Sequence, residues 1–429
     1  MGADARQYDL VVWGATGFAG RLTAAYLTEQ YRPETLSLAL GGRDPNRLAS
    51  VAADLTDESE AWEAIPTVVG DATEPESLQE IARSTRVVCT TVGPYTRYGT
   101  PLVAACVEAG TDYCDLTGEV NWIREMIDRY HEAAVDAGTR IVHSCGFDSV
   151  PADIGTLLAQ SYALEAFDAP CETVRISVDD ASGGVSGGTL ASMAAVFEAA
   201  SNDPLARETL RNPYSLAPAG ERDGVDTGGD RLPRHDSTRS VWTAPSPMAQ
   251  VNERVVRRSN ALLGYPWGRE FRCTEVVATG SGLRGAAGAT LLAGGLGLFT
   301  AAMSVGPARR AVRRFLFPAP GEGPSTEQIE NGHFTVSVHG RGTARDGSFS
   351  VVAEFGTDLD PGYGAAARML GESAVCLVRG HVDSPLDGGV LTPASGIGAP
   401  LVDRLRDAGF TATARTVEAP STAAGADAK

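Results

Sequence analysis

Lysine is all but missing from this chain. Of its 36 basic residues only Lys429 is a lysine, and the rest are arginine. With 54 acidic residues the net charge is −18, which argues against nucleic-acid binding, because that needs a basic stripe. An acidic, lysine-poor surface suits a high-salt cytosol, where excess carboxylate keeps molecules soluble and mutually repelling, so a halophilic protein is expected. Cysteine is sparse and scattered: Cys89, Cys106, Cys114, Cys145, Cys171, Cys273 and Cys376 form no C-x-x-C pair. With no signal-peptide pattern at the N-terminus they read as reduced thiols in a cytoplasmic protein. The six histidines are equally dispersed, with His333 and His339 the closest pair, and no metal site is expected. What remains is a globular composition, 43% hydrophobic and 21% charged over 429 residues, enough for two domains with separate cores.

The most informative stretch is YDLVVWGATGFAG, Tyr8 to Gly20. A short apolar run stops at Gly14, glycine returns at Gly17 and Gly20, and RLTAAYLTEQY continues with helical spacing. This is a strand, a glycine turn and a helix N-terminus, the arrangement that holds a dinucleotide pyrophosphate. Gly14 permits the turn, Gly17 lets the backbone reach the phosphates, and Gly20 lets the helix pack close to the strand. Ala15, Thr16 and Phe18 complete the loop. The second strand, Leu36–Leu40, ends in Gly41, Gly42 and Arg43, where NAD enzymes usually carry a carboxylate. A guanidinium there can clamp a 2′-phosphate, so the expected cofactor is NADP(H).

Strand and helix signals alternate to about residue 150, which predicts a doubly wound parallel sheet in an NADP-binding Rossmann domain over 1–150. The expected helices include one across Pro101–Ala109. From about Cys171 the runs alternate as half-exposed strands, and a second α+β domain with a mainly antiparallel sheet is expected over 151–410. Within it, 201–240 reads as loop, 372–410 as a segment able to pack back on the first domain, and 411–429 as a flexible tail. Residues 285–308 carry no charge and are followed by Arg309, Arg310, Arg313 and Arg314. Three readings stay open: peripheral membrane contact through 285–314 at the inner face of the plasma membrane, a full span of the bilayer, and a buried or lipid-facing helical segment within the second domain. Gly184–Val185–Ser186–Gly187–Gly188 fits the hydrolase pattern G-x-S-x-G, though a chain with 49 glycines produces it readily by chance.

Taken together, VVWGATGFAG, ALGGRDPNRL, TTVGPYTRYGTPLVAACVEAGTDYCDLTGE and HSCGFDSVPADIG resemble the saccharopine dehydrogenase-like oxidoreductases. The later PGEGPSTEQIENGHF, DPGYGAAARMLGESAVCL and GGVLTPASGIGAPLVDRL resemble the branch called trans-acting enoyl reductases. The resemblance implies an NADPH-dependent reduction of a carbon–carbon double bond in an acyl or lipid-linked intermediate of glycolipid assembly. Two alternatives remain, a saccharopine-type amino-acid dehydrogenase and a non-catalytic NADP-binding, lipid-associated protein. The oligomeric state is open, a homodimer included.

Hydride transfer needs the nicotinamide held against the acceptor and a proton donor beside it. Thr91, Gly93 and Pro94, after the fourth strand, are expected along the nicotinamide ribose, and Asp71 at the adenine edge. The candidate acids are Tyr95, Tyr98, Asp115, Glu119, His143 and Asp148. Glu119 has an alternative reading as a carboxylate at a helix start.

Overall fold

The computed structural model describes residues 6–182, 187–230, 232–316 and 332–417. In the first third, strands and helices alternate: β1 (Tyr8–Trp13), α1 (Phe18–Gln30), β2 (Leu38–Gly42), α2 (Pro45–Asp57), β3 (Thr67–Val69), α3 (Pro75–Ser84), β4 (Thr85–Thr90), α4 (Tyr95–Ala109), β5 (Asp112–Asp115), α5 (Val120–Asp136) and β6 (Arg140–Val142). Helix α6 (Val150–Phe167) leads into β7 (Thr173–Ser182), α7 (Gly187–Asn202), α8 (Pro204–Arg211), β8 (Arg234–Asp236), β9 (Val241–Pro245), α9 (Ala249–Leu262), β10 (Arg272–Gly280), α10 (Gly282–Ser304) and α11 (Gly306–Leu316). The chain ends with β11 (His333–Ala344), β12 (Gly347–Thr357), α12 (Ala366–Arg379), β13 (Gly389–Leu391), α13 (Ala399–Asp407) and β14 (Thr411–Thr416).

Two seven-stranded sheets result. The first runs β13-β6-β5-β4-β1-β2-β3 and is parallel throughout, with Leu10 opposite Leu38 and Val87. Leu10, Val11, Val12, Val87, Val88 and Cys89 are fully or almost fully buried, as expected of central strands covered by helices on both faces. The second sheet runs β14-β12-β11-β7-β10-β9-β8; only β7 and β10 pair in parallel.

The C-terminal segment returns to the first sheet. Gly389–Leu391 pairs with Arg140–Val142, and α12 lies against α1, β4 and β5. The junction is fixed by Glu372, whose carboxylate accepts the Tyr26 hydroxyl at 2.5 Å, the Tyr31 hydroxyl at 2.6 Å and Arg404 Nε at 2.6 Å. A buried carboxylate is tolerated because it is hydrogen-bonded and paired.

Three elements depart from the sequence expectations. Helix α4 starts at Tyr95, six residues before Pro101, because a carboxylate from elsewhere in the chain caps it there. The expected 201–240 loop contains α8, started by Pro204 and by Asp203, which accepts Leu205 N at 2.9 Å. The expected tail begins with an edge strand, Thr411–Thr416, paired with Val351–Gly356. Residues 418–429, the motif residues 320–331 and Gly184–Ser186 lie outside the described residues.

Candidate active site

A parallel sheet brings the carboxyl ends of its strands to one edge, so the loops after β1, β2, β4, β5 and β6 are neighbours there. The loop after β1 is shaped for close approach. Gly14 has φ +94°, and a Cβ on it would lie 2.8 Å from Val92 and 2.9 Å from Thr91 Oγ1. A Cβ on Gly20 would come within 2.2 Å of the Gly14 carbonyl oxygen. Gly17 caps α1 with no side-chain acceptor, which leaves the first amides of the helix for an anion. Ala15 is buried and Thr16 half-buried beneath this turn, and Phe18 packs edge-on against Tyr363 at 4.7 Å.

Beyond β2, Arg43 is exposed and makes no ion pair among the described residues. Asp44 does not compete for it, because its carboxylate caps α2, accepting Asn46 N at 3.0 Å and Arg47 N at 3.2 Å. Arg47, which the sequence reading passed over, donates to the Thr16 carbonyl at 3.2 Å and so borders the same loop. Asp71 accepts both the hydroxyl (2.7 Å) and the amide (2.8 Å) of Thr73, which hold its carboxyl below the usual range.

The candidate acids separate by surroundings. His143 is buried, with Nδ1 2.7 Å from Asp115 Oδ2 and its ring edge-on to Trp122 at 4.9 Å. Its Nε2 has no hydrogen-bonding partner among the described residues. Asp115 also accepts the Tyr113 hydroxyl (2.9 Å), Thr117 N (3.0 Å) and Ser144 N (3.0 Å), which ties the loops after β5 and β6 together. Tyr95 is buried, its hydroxyl bonded to the Thr90 carbonyl at 3.2 Å, and burial drives its pKa well up. Glu119 accepts Tyr95 N at 2.8 Å and Thr96 N at 2.9 Å. It is a carboxylate at a helix start, as the alternative reading had it, but the helix it caps is α4 and not its own α5. His143, Asp115, Tyr95 and Glu119 are thus all buried and hydrogen-bonded beneath the edge. Tyr98 is half-buried on α4 beneath Arg97, whose guanidinium lies 5.1 Å from the ring centroid.

Asp148 differs from all of these. It is partly exposed on the loop after β6 and has no hydrogen bond or ion pair to any described residue. Burial pushes its carboxyl up to about 6. The start of helix α9 meets it here: a methyl group placed on Gly118 would lie 3.7 Å from Asp148 Oδ2, 3.8 Å from Val251 and 3.9 Å from Met248. Behind it, Ser149 donates to Asn252 at 2.8 Å, and Asn252 in turn bonds Glu275. Glu275 accepts the Ser246 hydroxyl at 2.5 Å on Oε1, while its buried Oε2 lacks a partner among the described residues. Burial pushes the Glu275 carboxyl up to about 7, with Asp148 contributing. The sequence reading missed Glu275; an alternating strand residue 127 positions from Asp148 carries no local signal. A cavity of about 240 Å³ bounded by Tyr214, Arg257, Tyr265 and Phe271 contains none of these site residues.

Comparison with known proteins agrees with this architecture. The saccharopine dehydrogenase NADP-binding domain matches residues 10–142. A Mycobacterium tuberculosis protein whose name assigns it to the trans-acting enoyl reductases is 41% identical over 420 residues, covering 95% of this chain and 98% of its own. The trans-acting enoyl reductase of Mycobacterium ulcerans is 37% identical over 428 residues, covering 96% and 99%. The chain belongs to the saccharopine dehydrogenase-like family, in the trans-acting enoyl reductase branch. Apo saccharopine dehydrogenase (L-Glu forming) from Saccharomyces cerevisiae shares the fold, with a TM-score of 0.53 at 13% identity over 96% of this chain and 100% of that one.

As a member of this family the protein is an NADP(H)-dependent oxidoreductase. The glycine loop, the amides of α1 and the guanidinium groups of Arg43 and Arg47 fit that cofactor: a cradle a Cβ would fill, a positive helix end and two cations. The stretch YCDLTGE has a physical explanation here. Its Asp115 and Glu119 hold the loop after β6 and the start of α4, the backbone on which the cleft is built.

Proposed function

We propose that the protein is an NADPH-dependent enoyl reductase acting on an acyl intermediate of lipid or glycolipid assembly, in the cytoplasm. The observation that carries this reading is the name shared by relatives that align with the chain from end to end. In this reading Gly14, Ala15, Thr16, Gly17, Phe18 and Gly20 receive the pyrophosphate, and Arg43, with Arg47 beside it, takes the 2′-phosphate. Asp71 borders the adenine, and Thr91, Gly93 and Pro94 border the nicotinamide ribose. NADPH, when bound, supplies the hydride that adds to the alkene carbon β to the carbonyl. The alkene pair shifts toward the carbonyl, and the α-carbon takes a proton.

Asp148 is the proton donor we infer. It is the candidate acid that is partly exposed, unpaired and raised toward neutrality, the combination general acid catalysis needs near neutral pH. Its access to solvent lets it recover the proton between turnovers. Glu275 lies behind it as a second raised carboxyl. Tyr98 flanks the cleft from α4, while Tyr95 and His143 act through the framework.

NADPH consumption should be measured with a 2-enoyl thioester, a 2-oxo acid plus amine pair and a simple ketone. Oxidation of NADPH is expected with the enoyl thioester alone, with the saturated thioester as product. Arg43→Glu should raise the KM for NADPH by about tenfold, the value of roughly one charge-assisted phosphate contact. Turnover with the imine pair and none with the enoyl thioester would reject the reading.

A further inference from the structure

Residues 276–321 contain five arginines and no carboxylate, in a chain whose net charge is −18. Helix α10 occupies the middle of this stretch. Only 11% of its most apolar window is buried, which removes the reading of 285–308 as a core helix. One side is sewn to the protein: a Cβ on Gly285 would lie 2.1 Å from the Gly280 carbonyl oxygen, Ala289 and Met303 are buried, and Phe299 meets Phe197 of α7 edge-on at 6.4 Å. The other side carries Leu283, Ala287, Leu291, Leu298 and Ala301. At about 100° per residue these positions fall within roughly a quarter of the helix circumference. Leu283 is 91% exposed, Leu291 78% and Leu298 73%. Arg284 is exposed at one end of the stripe. Arg310 is exposed just beyond the other, and Arg309 beside it bonds Ser201 Oγ and the Met303 carbonyl.

We propose that this face docks the protein on an anionic bilayer, with α10 lying in the interface and its terminal arginines among the headgroups. A stripe of exposed leucines on a helix whose one charged residue is the terminal Arg284 needs an apolar cover. A second copy is a poor one, because both ends of α10 are cationic: pairing α10 with itself, parallel or antiparallel, sets arginine beside arginine with no carboxylate in the segment. Anionic headgroups meet that charge, and they are repelled by the rest of the acidic surface, so this face alone is presented. The helix does not cross the membrane, since the side packed on β9, β10 and α7 stays with the protein.

The full chain should be sedimented with vesicles of pure phosphatidylcholine and of phosphatidylcholine with one-third phosphatidylglycerol. Both the lowest KCl at which circular dichroism reports a folded protein and molar KCl should be used. The native chain is expected to pellet with the anionic vesicles at both salt concentrations. L283Q/L291Q/L298Q, all at exposed positions, should weaken binding by at least about tenfold in both. R309Q/R310Q should weaken it by roughly fivefold per arginine at low salt. In molar KCl, where the Debye length is about 3 Å, the arginine pair should have little effect. A native chain that stays in the supernatant with every vesicle, or a leucine variant that binds unchanged while folded, overturns the proposal. So does a leucine variant that binds as before but falls from dimer to monomer in analytical ultracentrifugation, which would give the stripe to a second copy.

Discussion

A carboxyl group that has lost much of its hydration and has no partner among the described residues is disfavoured in its charged form, and Asp148 carries that penalty at the loop after β6. Its ordinary value lies near 4, and burial moves it to about 6. Between these two values the folded protein holds a proton that the unfolded chain has lost. Stability therefore falls as pH rises through this window and regains what Asp148 removed only below about 4. Asp148→Asn should be more stable than the native protein at pH 7, with the difference vanishing near pH 4 in melting curves. Turnover should fall at least about a hundredfold while NADPH affinity is unchanged, and the decline of activity above pH 6 should be lost. Unchanged turnover would remove Asp148 from the reaction. Asp148 was legible in the sequence only as one of several acids, because the feature that separates it, the lack of a partner among the described residues, is a property of packing.

Helix α4 illustrates how an element takes its boundary from a distant residue. Local rules favour a start at Pro101, whose missing N–H costs nothing in a first turn. Glu119 instead accepts the Tyr95 and Thr96 amides from across the sheet edge and starts the helix at Tyr95. Glu119→Ala removes the acceptor of the Tyr95 and Thr96 amides and of the Thr96 hydroxyl and is expected to cost about 2 kcal/mol, measured by urea unfolding. Glu119→Gln keeps an acceptor and should recover about half of that. If both variants kept native stability and lost turnover alone, Glu119 would be acting on substrate and the capping role would fail. The carboxylate at a helix start was legible in the sequence; the identity of the helix was not, since it depends on β4 and β5 lying side by side.

For the molecule as a whole, a net charge of −18 makes self-repulsion a stability term. Ion pairs tie only part of this charge, and several, such as Arg83 with Glu108, are largely exposed and contribute little. Screening should therefore stabilise the fold: raising KCl from about 0.1 M, where the Debye length is about 10 Å, to several molar should raise the melting temperature. Greater stability at low salt would reject the adaptation to high salt expected from composition.

The order of strands and helices up to β6, the glycine loop and the placement of Arg43 followed from sequence alone, because strand alternation, φ-positive turns and helix starts are governed by neighbours a few residues apart. Tertiary structure decided the rest. It set Glu275 behind Asp148, drew β13 back beside β6, buried His143 and Tyr95 and left one side of α10 exposed among the described residues. Those outcomes depend on which surfaces meet, and burial, pairing and exposure have no value until the chain is folded.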